Sequence, residues 1–199
     1  MFVIGAMIGY AVETIFILAV TGQYEIRSSL VFGPFNIIYG AGTVVLYAGL
    51  SRIDRRSTAQ IFVLGALVCT VVELVCSVLQ ELVFGSTSWD YSWAPFNLNG
   101  RVCLLFSLGW GFLAVLFTRV ALPACETGLS AIPLHIMRPL TLILLTLLVL
   151  DATLSAAAVA RWTMRLEGMP ALSLVDGWID RLFPNETMGK IYANMQQLR

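Results

Sequence analysis

Long apolar runs separated by short polar stretches dominate the chain. Five segments, 2–21, 35–50, 61–84, 98–120 and 139–160, approach or reach the ~20 apolar residues that a helix needs to cross a bilayer core. They predict an all-α, polytopic membrane helix bundle of five transmembrane helices. The second, FNIIYGAGTVVLYAGL, is short and rich in glycine. After position 160 the pattern changes. Val175, Trp178, Ile179 and Leu182 fall on one helical face, and Met188, Ile191, Tyr192, Met195 and Leu198 form a second apolar stripe. Two short amphipathic helices follow, lying on the membrane surface or over a cavity mouth. The expected organisation is therefore a transmembrane domain over 1–160 and an amphipathic tail over 161–199.

Arginine placement sets an expected orientation. The 51–60 connection holds Arg52, Arg55 and Arg56, and the 119–138 region holds Arg119 and Arg138. The 22–34 loop has only Arg27, and 85–97 has neither Lys nor Arg. This balance puts the N-terminus in the cytoplasm and the loops 22–34 and 85–97 outside, with the tail; Arg161 and Arg165 weigh against it. Only Met1 precedes the first span, so no cleavable signal peptide is expected.

Composition agrees with a membrane protein. The chain is 58% hydrophobic and 12% charged, about half the charge fraction of soluble domains, and its mean hydropathy is +0.84. A formal net charge of zero gives no basic surface for nucleic acid. His135 is the single histidine, so no His-based triad or multi-His metal site can form within one chain. Cys69, Cys76, Cys103 and Cys125 show no zinc-type spacing. No cofactor or metal is expected. No phosphate-binding loop of the G-x-x-x-x-G-K-[ST] type occurs either.

Two stretches resemble each other. IGAMIGYAVETIF at 4–16 parallels LGALVCTVVELVC at 64–76, aligning Gly5 with Gly65 and Glu13 with Glu73. Pro34-Phe35-Asn36 parallels Pro95-Phe96-Asn97 at nearly the same offset. Each unit reads as span, loop, Pro-Phe-Asn, span, over about 2–50 and 61–120. Two spans per unit imply a parallel repeat, with the units related by roughly half a turn and a site at their shared interface.

Charged residues inside apolar spans cost a few kcal/mol even on the mildest scale, so they usually face a bundle interior. Glu13, Glu73 and Asp151 fall mid-span, Glu81 near the end of the third span, and Arg101 one turn into the fourth. Cys69, Glu73, Cys76 and Gln80 share a face, as do Gly5, Gly9 and Glu13. So do Asn36, Gly40, Thr43 and Tyr47, and Asn97 with Arg101. Single residues of this kind also serve as glue between helices. As a group they outline a polar, outward-facing cavity. The expected site residues are Glu13, Glu73, Arg101, Asp90, Asn97, Trp89, Tyr91 and Tyr39. Arg101 pairs with Asp90, Glu73 or Glu81 as the floor, and Trp89, Tyr91 and Trp93 form the roof. On this reading Arg101→Leu strands a buried carboxylate and costs roughly 3–5 kcal/mol.

GYAVE at 9–13, GPFNIIYGAG at 33–42, Glu73, Glu81, WDYS at 89–92, FNLNGRVCL at 96–104 and Trp110-Gly111 together resemble a bacterial membrane family, the CmpB-like Putative ABC-transporter type IV proteins. The resemblance covers about residues 3–120, and the WDYS to NGRVCL run is its specific part. Phe35-Asn36-Ile37 departs from the more compact Pro-Ile-Tyr-Gly pattern expected of the first unit. The resemblance implies a permease subunit of the bacterial cytoplasmic membrane, surrounded by lipid and served by a separate ATPase subunit docking near 51–60. The expected function is to bind or move a small polar solute, with a homo-oligomer as a further expectation. The alternatives are a membrane-embedded enzyme acting on a lipid head group and a scaffold subunit whose acids serve assembly.

Overall fold

The computed structural model describes residues 1–50 and 57–197; Arg52, Arg55 and Arg56, on which the expected orientation leans most, and Leu198 lie outside the described residues. Helices dominate. Helix α1 spans Phe2–Thr21, α2 Ile37–Leu50 and α3 Thr58–Phe84. Strands β1 (Ser86–Thr87), β2 (Asn97–Leu98) and β3 (Val102–Cys103) lead into α4, Leu104–Leu116. A π-helical turn, Phe117–Ala121, joins α4 to α5, Leu122–Ser130. Next come α6 (Leu134–Leu166), α7 (Leu174–Leu182), α8 (Asn185–Ile191) and β4 (Gln196–Gln197).

Four helical stretches are long and apolar enough to cross a membrane: Phe2–Thr21, Thr58–Phe84, Leu104–Ser130 and Leu134–Leu166. Helix α2, at 14 residues, is about 21 Å long at 1.5 Å per residue, short of a ~30 Å core. Its start is fixed by the preceding chain. Asn36 N donates to Ala6 O at 3.0 Å, so the chain leaving α1 at Thr21 doubles back along that helix before α2 begins.

Helices α1 and α2 approach closely because glycine removes the obstructing atoms. A Cβ on Gly5 would strike Thr43, and one on Gly9 would strike the Tyr39 ring. The α3–α4 contact works the same way, with Gly65 against Ala114. On α3 the buried face is Ile61, Gly65, Cys69, Glu73 and Ser77, a strict i, i+4 stripe. Cys76 and Gln80, expected on that stripe, lie beside it.

The expected helix over 98–120 is corrected at both ends. Residues 97–103 form a hairpin, with Asn97 opposite Cys103 and Leu98 opposite Val102. Asn99 and Gly100 both take positive φ, 52° and 70°, and Arg101 N closes the turn on Leu98 O at 3.0 Å. Asn-Gly is the residue pair that such a turn favours. At the other end the helix runs through the π turn to Ser130. Pro123 sits in the first turn of α5 and has no N–H to continue the α ladder, which accounts for the register change there.

The tail folds onto α6. Ala158, Val159 and Trp162 pack with Ile179, Phe183, Met188 and Tyr192. Arg161, 4% exposed, donates from Nε and Nη2 to both oxygens of Asp180 at 3.0 and 2.9 Å; Arg165 also pairs with Asp180. The tail then reaches both loops. Tyr192 OH donates to Ser29 O, Asn194 Nδ2 to Ser88 O, and β4 pairs with β1. Asp151 accepts from Phe32 N at 3.3 Å, and Ser155 Oγ accepts from Val31 N at 2.9 Å. Asp151 therefore anchors the first loop to α6. The two loops and the tail gather at one end of the bundle.

Candidate functional site

Glu73 lies in the middle of α3 and is 3% exposed. Both carboxylate oxygens are occupied. Tyr91 OH donates to Oε1 at 3.0 Å, and Trp110 Nε1 donates to Oε2 at 2.9 Å. One donor comes from the loop after α3 and the other from α4, so two elements converge on the acid. Charge-assisted bonds of this kind are about twice as strong as neutral ones. Tyr91 is held in turn by Phe106, stacked with centroids 4.5 Å apart and 21° between planes.

Glu13 occupies the middle of α1 and is half-buried. Tyr39, from the first turn of α2, and Arg27, from the doubled-back loop, are each in electrostatic range of Glu13 and of each other. Glu13 and Glu73 are also within electrostatic range of each other. The bridge between them is aromatic: Tyr39 and Trp110 meet with ring centroids 4.9 Å apart. Glu13, Tyr39, Glu73 and Tyr91, all expected as site residues, are thus brought into one centre.

The other expected members stand apart. Arg101 is not on a helix; it follows the Asn99-Gly100 turn. Its guanidinium pairs with Glu81 and donates to Ser77 Oγ at 3.2 Å. The expected pairing with one of three acids is present, with Glu81 in the last turn of α3, while Glu73 keeps other partners. Asp90 is exposed and turned on Ser92, accepting from its N at 2.8 Å and its Oγ at 2.6 Å. Those bonds hold its carboxyl below the ordinary range. Asn97 secures the loop, donating to Ala94 O at 2.8 Å and accepting from Gly100 N at 3.0 Å. Trp89 Nε1 donates to Arg101 O at 2.8 Å, and Trp93 is largely exposed. The expected roof is therefore corrected. Tyr91 reaches inward to an acid, Trp89 braces the hairpin and Trp93 faces outward.

Two participants escaped the sequence reading. In the sequence Trp110 stands out only through the family resemblance, and Arg27 only as a loop cation. The spacing of Tyr39 and Trp110 carries no motif. What signals them is that buried carboxylates need donors, and few donors lie on the facing helices. Among the described residues no cluster of His, Cys, Asp and Glu suits a metal ion.

The family model described as Putative ABC-transporter type IV matches residues 1–156. No curated protein and no solved structure matches the chain.

Proposed function

The chain belongs to the Putative ABC-transporter type IV family, and on that premise we propose that it is a permease-type membrane subunit binding a small polar solute at the Glu13–Glu73 centre. The observation that carries this reading is the convergence of two intramembrane acids from different helices on one aromatic pair. Glue between helices calls for a donor facing an acceptor. It does not call for two like charges in range of each other, which repel and raise the cost of burial. A positively charged group bound between them relieves that repulsion. Solute access is from the end where the loops and the tail gather, which we assign to the outside, with the N-terminus in the cytoplasm. Energy coupling falls to a separate ATPase subunit.

The test uses the purified full chain in detergent, titrated with ethylammonium chloride while tryptophan emission is followed, Trp110 being the indole at the centre. A saturable change that Glu73→Gln and Glu13→Gln each weaken is the expected result. A response unchanged in a folded Glu13→Gln/Glu73→Gln double variant overturns the proposal.

A further inference from the structure

The Glu13–Glu73 centre has a third charged member that a simple cation does not use. The Arg27 side chain is only 12% exposed, and its one ion pair among the described residues, to Glu25, is loose at 3.7 Å. Its Nε is buried with no hydrogen-bond partner among the described residues. Asn36, 7% exposed, donates from Nδ2 to the Arg27 backbone O at 3.3 Å, while its Oδ1 is buried without a partner among the described residues. One orphan donor and one orphan acceptor thus occur on two residues bonded to each other. Both lie in the segment that doubles back past Glu13. A buried polar atom left unsatisfied is costly, and native proteins rarely leave one so. Each of these atoms is fitted to a partner of opposite kind.

We propose that the solute of this centre is a zwitterionic amine of amino-acid type, its carboxylate on Arg27 and its ammonium on Asn36 Oδ1 and Glu13. This rests on the reading that the centre binds a solute, and it specifies the class. A carboxylate supplies the acceptor that Arg27 Nε lacks, and guanidinium is the side chain best shaped for it. An ammonium group supplies the donor that Asn36 Oδ1 lacks. A bound water satisfies both atoms but leaves the charge untouched. Glu13, Glu73 and Arg27 sum to one negative charge, so a second cationic group reaching Glu73 completes the balance. Tyr39 and Trp110 offer ring faces along that path, which favour a cation. A basic amino acid fits better than glycine.

The experiment compares lysine with cadaverine, which differ by the carboxylate alone, by isothermal titration of the full chain in detergent. The wild type is expected to prefer lysine by about tenfold, the worth of one charge-assisted hydrogen bond. Arg27→Gln should erase that preference while leaving cadaverine bound, Arg27→Lys should keep part of it, and Glu73→Gln should weaken both ligands. Equal binding of lysine and cadaverine by the wild type, with both still dependent on Glu73, overturns the zwitterion and leaves the solute site standing. Failure of every amine to bind in a Glu73-dependent way overturns both.

Discussion

Tyr39 and Trp110 stand ring to ring, their centroids 4.9 Å apart and their planes at 57°, and each lies beside the acid of its own helix pair. Tyr39 is in electrostatic range of Glu13 of α1, and Trp110 donates a hydrogen bond to Glu73 of α3. From 39 to 110 is 71 positions, and so is the step from Thr43 to Ala114, the residues that meet Gly5 and Gly65. From Glu13 to Glu73, and from Gly5 to Gly65, is 60. A tandem repeat whose second unit carries eleven more residues between its helices would produce these two offsets. The loop 85–103 is where such an insertion belongs. On that correspondence the Asn36–Asn97 alignment breaks down, because Asn36 precedes α2 directly whereas Asn97 begins a hairpin.

Trp110→Phe separates the two roles of this indole. The substitution keeps the ring against Tyr39 and removes the donor to Glu73. With Tyr91 still in place, the loss should be about 1.5–3 kcal/mol, the range for a hydrogen bond to a charged group, read as a lower unfolding temperature in detergent. Tyr91→Phe should cost a similar amount, and the double variant should depart from additivity because both donors share one carboxylate. Strict additivity would mean that the two bonds do not act on one group.

Part of this arrangement was legible in the sequence. Apolar length located α1, α3 and α6, and helical spacing placed Gly5, Gly9 and Glu73 on packed faces, because those positions answer to local periodicity. Leu98, Val102, Cys103 and Leu104 prolong an apolar run, which is why hydropathy alone predicts a helix from 98 rather than from 104. Asn99-Gly100 inside that run was the hairpin signal, and it outweighs hydropathy because only a turn accepts two consecutive positive φ values readily. For the same reason Arg101 belongs to the hairpin and not to the first turn of a helix. Arg27 could not be assigned to Glu13, since nothing local shows that 22–36 doubles back as far as Ala6. Tertiary contact alone decides that.

Arg101→Leu is expected to be mild. The two side chains of the Arg101–Glu81 pair are 25% and 40% exposed, so solvent screens the pair and Glu81 can rehydrate when its partner is lost. A cost of about 1 kcal/mol or less follows, against the roughly 3–5 kcal/mol of a dry pair. Thermal unfolding of the variant in detergent measures it, and a loss in the larger range would show that Glu81 is shielded after all.

Acid should release the tail. Asp180 is held below the ordinary carboxyl value of 3.8, first by its hydrogen bond to Arg161 and then by Arg165. Because the folded value is the lower one, the contribution is fully present above the ordinary value and is lost as pH falls through the folded value. Limited proteolysis after Arg165 should therefore be slow at neutral pH and accelerate only below about pH 4. Asp180→Asn should make the tail protease-sensitive at neutral pH and flatten the dependence. A wild-type tail released in the neutral range would place its hold elsewhere.

Gly100→Ala tests whether the hairpin is what delivers Tyr91 to Glu73. Gly100 has φ 70°, where an L side chain costs roughly 1–2 kcal/mol. An added methyl would also meet Ser92 Oγ at 2.7 Å and press on Asp90 Oδ1. Those two atoms form the clasp that shapes the loop at Asp90, and Gly100 O itself accepts from Tyr91 N at 2.7 Å. The methyl therefore has to displace either the turn or the segment carrying Tyr91. We expect a loss of about 2–4 kcal/mol, strain and overpacking together, with the phenol drawn away from the acid. Asn99→Gly, at φ 52°, relieves strain in the same turn and should change stability little. The deciding measurement is a double-mutant cycle. If Gly100→Ala acts by withdrawing Tyr91, then Tyr91→Phe should cost almost nothing in the Gly100→Ala background, although it is costly in the wild type. If Tyr91→Phe costs the same in both backgrounds, Tyr91 keeps its bond to Glu73 whatever the turn does, and the hairpin is not its support.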